Sequence, residues 1–191
     1  MTELEAFKRA DACFLAVLGK VGEHQWKDPT PNPGWSVTDL AGHIMEGIVW
    51  VGHVLLGASI AAAGDKFSGD LLGDDPKAAA ERACREAEAA IDKTGDLEAI
   101  VHLSYGDVPA RTYLRQQIID ITIHTWDLAR GIGVDEKLDS DLVAIVYDWF
   151  APEAEGWREA GLLKPAVPVP ADADLQTRLL ALSGRQAVMA D

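Results

Sequence analysis

Apolar residues recur along this chain at helical spacing, and clusters of proline, glycine and aspartate interrupt them. Phe7, Ala10, Phe14, Val17 and Leu18 share one helix face, with Thr2 and Glu5 as a capping box ahead of them. They predict a first helix over residues 3–22. Asp28-Pro29-Thr30-Pro31-Asn32-Pro33-Gly34 cannot continue a helix, because its prolines remove backbone donors, so a stiff loop is expected. Ser36 with Asp39 repeats the capping signal and starts a second helix near Val37 that runs past Leu56. Residues 57–75 form a long connection rich in Gly and Asp. Asp75-Pro76 pairs an N-cap with proline at the first helical position and opens a third helix, which stops at Thr94-Gly95. Its inner face is mostly alanine, which lets a neighbour approach and is also a strong helix former. From Leu97 to Pro109 the rhythm fails, and a short β-hairpin or arm turning near Gly106 is predicted. A fourth helix spans Ala110 to about Arg130. Ser140 should cap a further helix through Phe150, residues 164–170 with their prolines read as a linker, and Asp172 or Asp174 opens a last helix ended by Gly184. The reading is an all-α chain: a helical bundle over 1–135, and a helical extension over 136–191 packed on the same domain.

Two helices carry polar residues that break the apolar pattern. The centre of the fourth, Gln117-Ile118-Ile119-Asp120-Ile121-Thr122-Ile123-His124-Thr125-Trp126-Asp127-Leu128, is apolar almost all round, the mark of a buried helix. Asp120 and His124, four residues apart, share a face. A carboxylate removed from water without a partner costs several kcal/mol, so something must compensate Asp120. A divalent metal shared with His124 would do so. A hydrogen-bonded core pair would do so equally. On the second helix, His43 shares a face with Ser36, Leu40, Gly47, Trp50 and Val54, and that face is expected to point inward. A lone inward histidine is ordinarily a hydrogen-bonded core residue; beside Asp120 and His124 it becomes a third donor. Three protein ligands with an open fourth position are the pattern of a catalytic metal site. Gly42 and Gly47 would leave room beside it.

The site makes a demand on topology. His43 lies about 9 Å from the start of its helix and His124 about 10 Å from the end of its own, at 1.5 Å per residue. They meet only if the second and fourth helices are antiparallel. That requires an up-down-down-up four-helix bundle with a long crossover between the second and third helices. Residues 57–75 could supply it.

Composition narrows the partners. The 191 residues, 48% hydrophobic and 25% charged, suit one soluble domain, or one with an appendage. A formal net charge of −14 argues against nucleic acid and against an anionic membrane surface. Cys13 and Cys84 form no CxxC pair, and two cysteines in a chain of this length suggest a reducing, cytoplasmic setting. No basic segment precedes an apolar run at the N-terminus, and no apolar stretch is long enough to span a bilayer. The oligomeric state stays open, a homodimer included.

The motifs resemble a known family. Pro33-Gly34-Trp35-Ser36-Val37-Thr38-Asp39-Leu40-Ala41-Gly42-His43 is similar to the "PGW-x-V-x-DL-x-x-H" start of the second helix in the DinB/YfiT-like metalloprotein superfamily, and more narrowly in the mycothiol-dependent maleylpyruvate isomerase N-terminal domain group. His124-Thr125-Trp126-Asp127-Leu128-Ala129 resembles that group's "H-x-WDLA", and residues 174–185 resemble the "RLLALxGR" ending of its small single-domain actinobacterial members. The resemblance implies a DinB-like up-down-down-up bundle. It also implies a divalent metal, zinc first and nickel second, held by one histidine of the second helix and two residues of the fourth. The position that is Glu or His in the family is Asp120 here. Members include isomerases and S-transferases that use mycothiol or bacillithiol. The larger isomerases add a C-terminal domain for substrate contacts, whereas only a short tail follows the bundle here.

These lines lead to a metal site of His43, Asp120 and His124, with a small-molecule substrate and a mycothiol-type thiol as partners. Neither Cys13 nor Cys84 lies in the ligand motifs, so the thiol comes from outside. The same site could activate water for hydrolysis, and two histidines with one carboxylate also match the facial triad of iron oxygenases. The rival class is a non-catalytic binding module whose metal is structural, with His102 or His53 as fourth ligand. Trp35, Trp50 and Trp126 could wall a pocket or fill the core. Arg111 and Arg115 could hold an anionic substrate or be solvated surface.

Overall fold

The computed structural model describes residues 1–187. Among them are eight helices and one two-stranded sheet. Met1–Glu136 form one compact unit, and a second begins at Lys137. The first unit is built on four long helices: α1 (Glu3–Leu18), α2 (Val37–Leu55), α4 (Pro76–Thr94) and α5 (Ala110–Gly131). The connection between α2 and α4 contains a short helix, α3 (Ile60–Ala63), and a hairpin of β1 (Ile100–Leu103) and β2 (Gly106–Pro109) precedes α5.

The capping signals act as their chemistry requires. Thr2 and Ser36 both close capping boxes, with Glu5 and Asp39, and the Asp75 side chain accepts from the Ala78 N–H in front of Pro76. The first helix ends at Leu18 and not near residue 22. Gly19 caps it, and the chain continues in turns that reach a 3-10 segment at Gln25–Lys27. The hairpin pairs antiparallel, with Leu103 opposite Gly106.

The four long helices pack as a ring, α1 against α4 and α5, and α2 against the same two. Their ends are tied in register. Thr94 Oγ1, at the end of α4, donates to the carbonyl of Leu55, the last residue of α2, at 3.1 Å. The first residue of α1, Glu3, accepts from Arg111 and Arg115 in the first turns of α5. A Cβ at Gly52 would lie 3.8 Å from the Ala87 backbone, so the small residues of α2 and α4 do allow close approach. The core is filled by Phe7, Phe14, Leu40, Ile44, Ile48, Leu114, Ile118, Ile121 and Trp126, all essentially inaccessible. At about 25 cal/mol per Å² of apolar surface, burying each such side chain contributes roughly 1.5–3 kcal/mol.

The second unit contains α6 (Ser140–Phe150), α7 (Ala154–Glu159) and α8 (Leu175–Leu182). Asp139, and not Ser140, caps α6: its carboxylate accepts from the Asp141 and Leu142 N–H groups. Asp174 caps α8. α7, six residues long, is too short to show a helical period in the sequence. The Arg178 guanidinium on α8 donates to the Tyr147 hydroxyl on α6 and lies over its ring.

Candidate metal centre

The buried stripe of α2 is Leu40, Ala41, Ile44, Met45, Ile48 and Val51. His43 stands on the flank of that stripe and not on it, with 37% of its side chain exposed. The expectation of a fully inward His43 is thus corrected. One helical position is a turn of about 100°, enough to move a residue from core to rim. From this rim the ring reaches α5, where His43 Nε2 lies 3.1 Å from Asp120 Oδ2. His124 Nε2 lies 3.4 Å from Asp120 Oδ1. The two imidazole centroids are 4.9 Å apart. One ligand atom from each of His43, Asp120 and His124 falls within 4.8 Å of the others. Bonds of about 2.1 Å to a single ion place neighbouring donors roughly 3.0–3.4 Å apart. The two contacts to Asp120, one on each of its oxygens, have that spacing, and the three donors as a set lie within 4.8 Å of one another, so they could hold a divalent ion.

The electrostatics follow from the same contacts. Burial alone would push the Asp120 carboxyl up. The imidazoles of His124 and His43 outweigh it and hold the carboxyl well below the usual range. For His124 burial opposes the charge, but Asp120 and Asp127 raise its pKa to about 9.

Asp127 is the residue that reading the sequence for ligands passed over. It is fully buried, and its Oδ2 accepts from His124 Nδ1 at 2.9 Å and from Asn32 Nδ2 at 3.1 Å. A carboxylate on Nδ1 sets the tautomer and turns Nε2 toward the site, as partners of metal-binding histidines do. The signal was available: a second acid three residues after His124 on an apolar helix. Asn32 comes from the proline-rich loop, which is fastened by the Thr30 N–H to the Trp35 carbonyl and the Val37 N–H to the Asp28 carbonyl. The loop packs against the end of α5, where a Cβ at Gly131 would meet Thr30 at 3.3 Å.

That loop also delivers Trp35, whose ring centroid is 4.9 Å from that of His43 and 6.0 Å from that of His124. A cavity of about 790 Å³ opens beside His43. Trp35, Gly42, Glu46, Trp50 and Phe67 are among its walls. Trp126, by contrast, is core, 1% exposed beneath the Arg130 guanidinium. Gly42 leaves open space, but the room at Gly47 is taken by the Gln117 side chain, which a Cβ there would meet at 2.7 Å. His53 and His102 do not join the cluster. His53 Nε2 sits 2.9 Å from the Ser59 carbonyl, and His102 pairs with Asp107 across the hairpin. Arg111 and Arg115 are held by Glu3.

Comparison with known proteins decides the family. Residues 7–129 match the mycothiol maleylpyruvate isomerase N-terminal domain. The chain belongs to that family. The matched span of the mycothiol maleylpyruvate isomerase N-terminal domain contains His43, Asp120, His124 and Asp127, and it stops before the second unit. The chain is also 30% identical over 142 residues to an uncharacterized protein found in two strains of Mycobacterium tuberculosis, covering 74% of each. No solved structure matches it significantly. Among the described residues no helix is long and apolar enough to cross a membrane.

Proposed function

We propose that the first unit is an up-down-down-up four-helix bundle that binds one divalent metal ion through His43, Asp120 and His124. We further propose that it uses the metal with a low-molecular-weight thiol of the mycothiol type, in isomerase or S-transferase chemistry on a small electrophile. The observation that carries this reading is the convergence of three donors from α2 and α5 within 4.8 Å of one another. The shared ends of α2 with α4 and of α1 with α5 support the topology. Two imidazoles and one carboxylate suit zinc and, next, nickel. A divalent cation held there would lower the pKa of an incoming thiol and present it as a nucleophile.

The chain's own residues do the rest. Asp127 and Asn32 hold His124 in one orientation. Trp35 covers one side of both imidazoles, and the cavity beside His43 gives a small molecule access to that edge. A purely structural metal is disfavoured, because His53 and His102, the other histidines weighed as a fourth ligand, are engaged elsewhere. Mycothiol enters through the family's name, and a cytoplasmic location is part of the same reading.

The test is elemental analysis of protein purified without chelators, followed by cobalt substitution and titration with thiols. About one metal per chain is expected, with a thiolate charge-transfer absorption that vanishes in His43→Ala and His124→Ala. Protein that never retains a metal, or cobalt protein that several thiols leave spectrally unchanged, would overturn the proposal.

A further inference from the structure

The cavity beside His43 has an electrical character that neither the family nor the donor set requires. One face of α2 supplies Asp39, His43, Glu46 and Trp50, spaced so that they follow one another along the helix. The connection after α3 supplies Phe67 and Asp70 opposite them. The lining therefore contains three carboxylates, and no lysine or arginine is among the lining residues. Asp39 is engaged in the α2 cap, and Asp70 accepts the Leu72 and Gly73 N–H groups. Glu46 is exposed and makes no hydrogen bond or ion pair with any described residue. The aromatic wall is equally specific. The Trp50 and Phe67 centroids are 5.0 Å apart with their planes at 63°. Lys66 rests its ammonium 5.0 Å from the Phe67 centroid, so that ring is already taken by a cation of the chain itself. Arg111 and Arg115, which could have served an anion, are spent on Glu3.

Resting on the proposed metal and thiol site, we infer that the small molecule taken by this cavity carries a cationic nitrogen group beside its reacting part, and that this chain does not favour small carboxylic acids. Rings attract cations through their negative faces, and carboxylates on the rim add to that attraction while repelling an anion. Glu46 is the residue that reads the charge; Trp50 supplies the surface on which the group stacks.

The experiment compares three probes of similar size by titration calorimetry: benzyltrimethylammonium, benzyl alcohol and benzoate. It uses the full chain treated with chelator, so that no metal can attract the carboxylate. The cation should bind roughly tenfold tighter than benzoate. Glu46→Gln should reduce that ratio severalfold, and Trp50→Ala should weaken the cation more than the alcohol. Benzoate binding as tightly as the cation, a ratio untouched by Glu46→Gln, or no binding of any probe at millimolar concentration would each overturn the inference. The metal and thiol reading fails separately. Loss of metal binding with the cation preference intact would sink that reading and leave a cation-binding cavity, whereas metal and thiol binding with an anion preference would sink only this inference.

Discussion

Asp11 on α1 and Asp120 on α5 are acids on long helices of one unit, yet their surroundings shift their carboxyl groups in opposite directions. Asp11 is 1% exposed, and neither of its oxygens has a hydrogen-bond partner. Burial pushes its carboxyl well above the ordinary range, the negative charge of Glu88 pushes the same way, and the Cys84 thiol beside it pulls back only in part. Burial acts in the same direction on Asp120, but two imidazoles reverse the outcome. Asp120 also keeps 35% of its side chain exposed, so burial weighs less on it than on Asp11, and the partners brought to each acid decide the rest. The core pushes Asp11 toward its protonated form, and two imidazoles push Asp120 toward its ionised form.

The largest expected effect separates the two acids directly. Asp120→Ala should weaken metal binding at least about a hundredfold while the helices remain, whereas Asp11→Ala should leave metal content unchanged. Metal analysis with circular dichroism of both variants checks this; equal metal loss in the two would break the comparison.

Next comes Asp127. Asp127→Ala frees His124 Nδ1, and metal affinity should fall about 10–100-fold, read by competition with a chromophoric chelator. An unchanged affinity would mean that packing alone orients the ring.

A smaller effect is pH-dependent. His124 in metal-free protein has its pKa raised from 6.5 to about 9. Its contribution to metal-free stability is therefore full below about pH 6.5 and is lost as pH rises through about 9. A metal must displace the same proton, so affinity should climb by up to about tenfold per unit until pH 9. A flat affinity between pH 7 and 9 would show that His124 enters the site already neutral.

The smallest effect concerns Asp11. Its raised folded pKa means that the native state keeps a proton the unfolded chain gives up above about pH 4, so stability falls as pH rises from there. Asp11→Asn should flatten that slope, and Asp11→Leu should stabilise the protein at pH 7 by about 1–3 kcal/mol. Urea melts across pH measure both; a wild-type slope retained in Asp11→Asn would show that Asp11 is already ionised.

How much of this was legible in the chain depends on the range of each interaction. The caps at Thr2, Ser36 and Asp75, the break at Pro29–Gly34 and the hairpin turn at Gly106 were readable because they involve residues within a few positions of one another. The cap of α6 was misplaced by one residue and the end of α1 by a turn, the usual uncertainty of local signals at helix termini. Asp120 and His124 were legible as a pair through their spacing of four. Asp11 carried a comparable signal, an acid four residues after Phe7 on an apolar face, and lacked the histidine that draws attention.

Periodicity and capping chemistry by themselves determined the all-α character, the long helices and the candidate donors on two of them. Tertiary structure decided the rest. It placed His43 on the rim, brought it to Asp120 from 77 positions away, and set Asn32 on Asp127 from 95 positions away. It also withdrew Arg111 and Arg115 toward Glu3 and gave the cavity its acidic and aromatic walls. The charge and direction of a side chain depend on groups within a few ångströms, and in a folded chain many of those groups are remote in sequence.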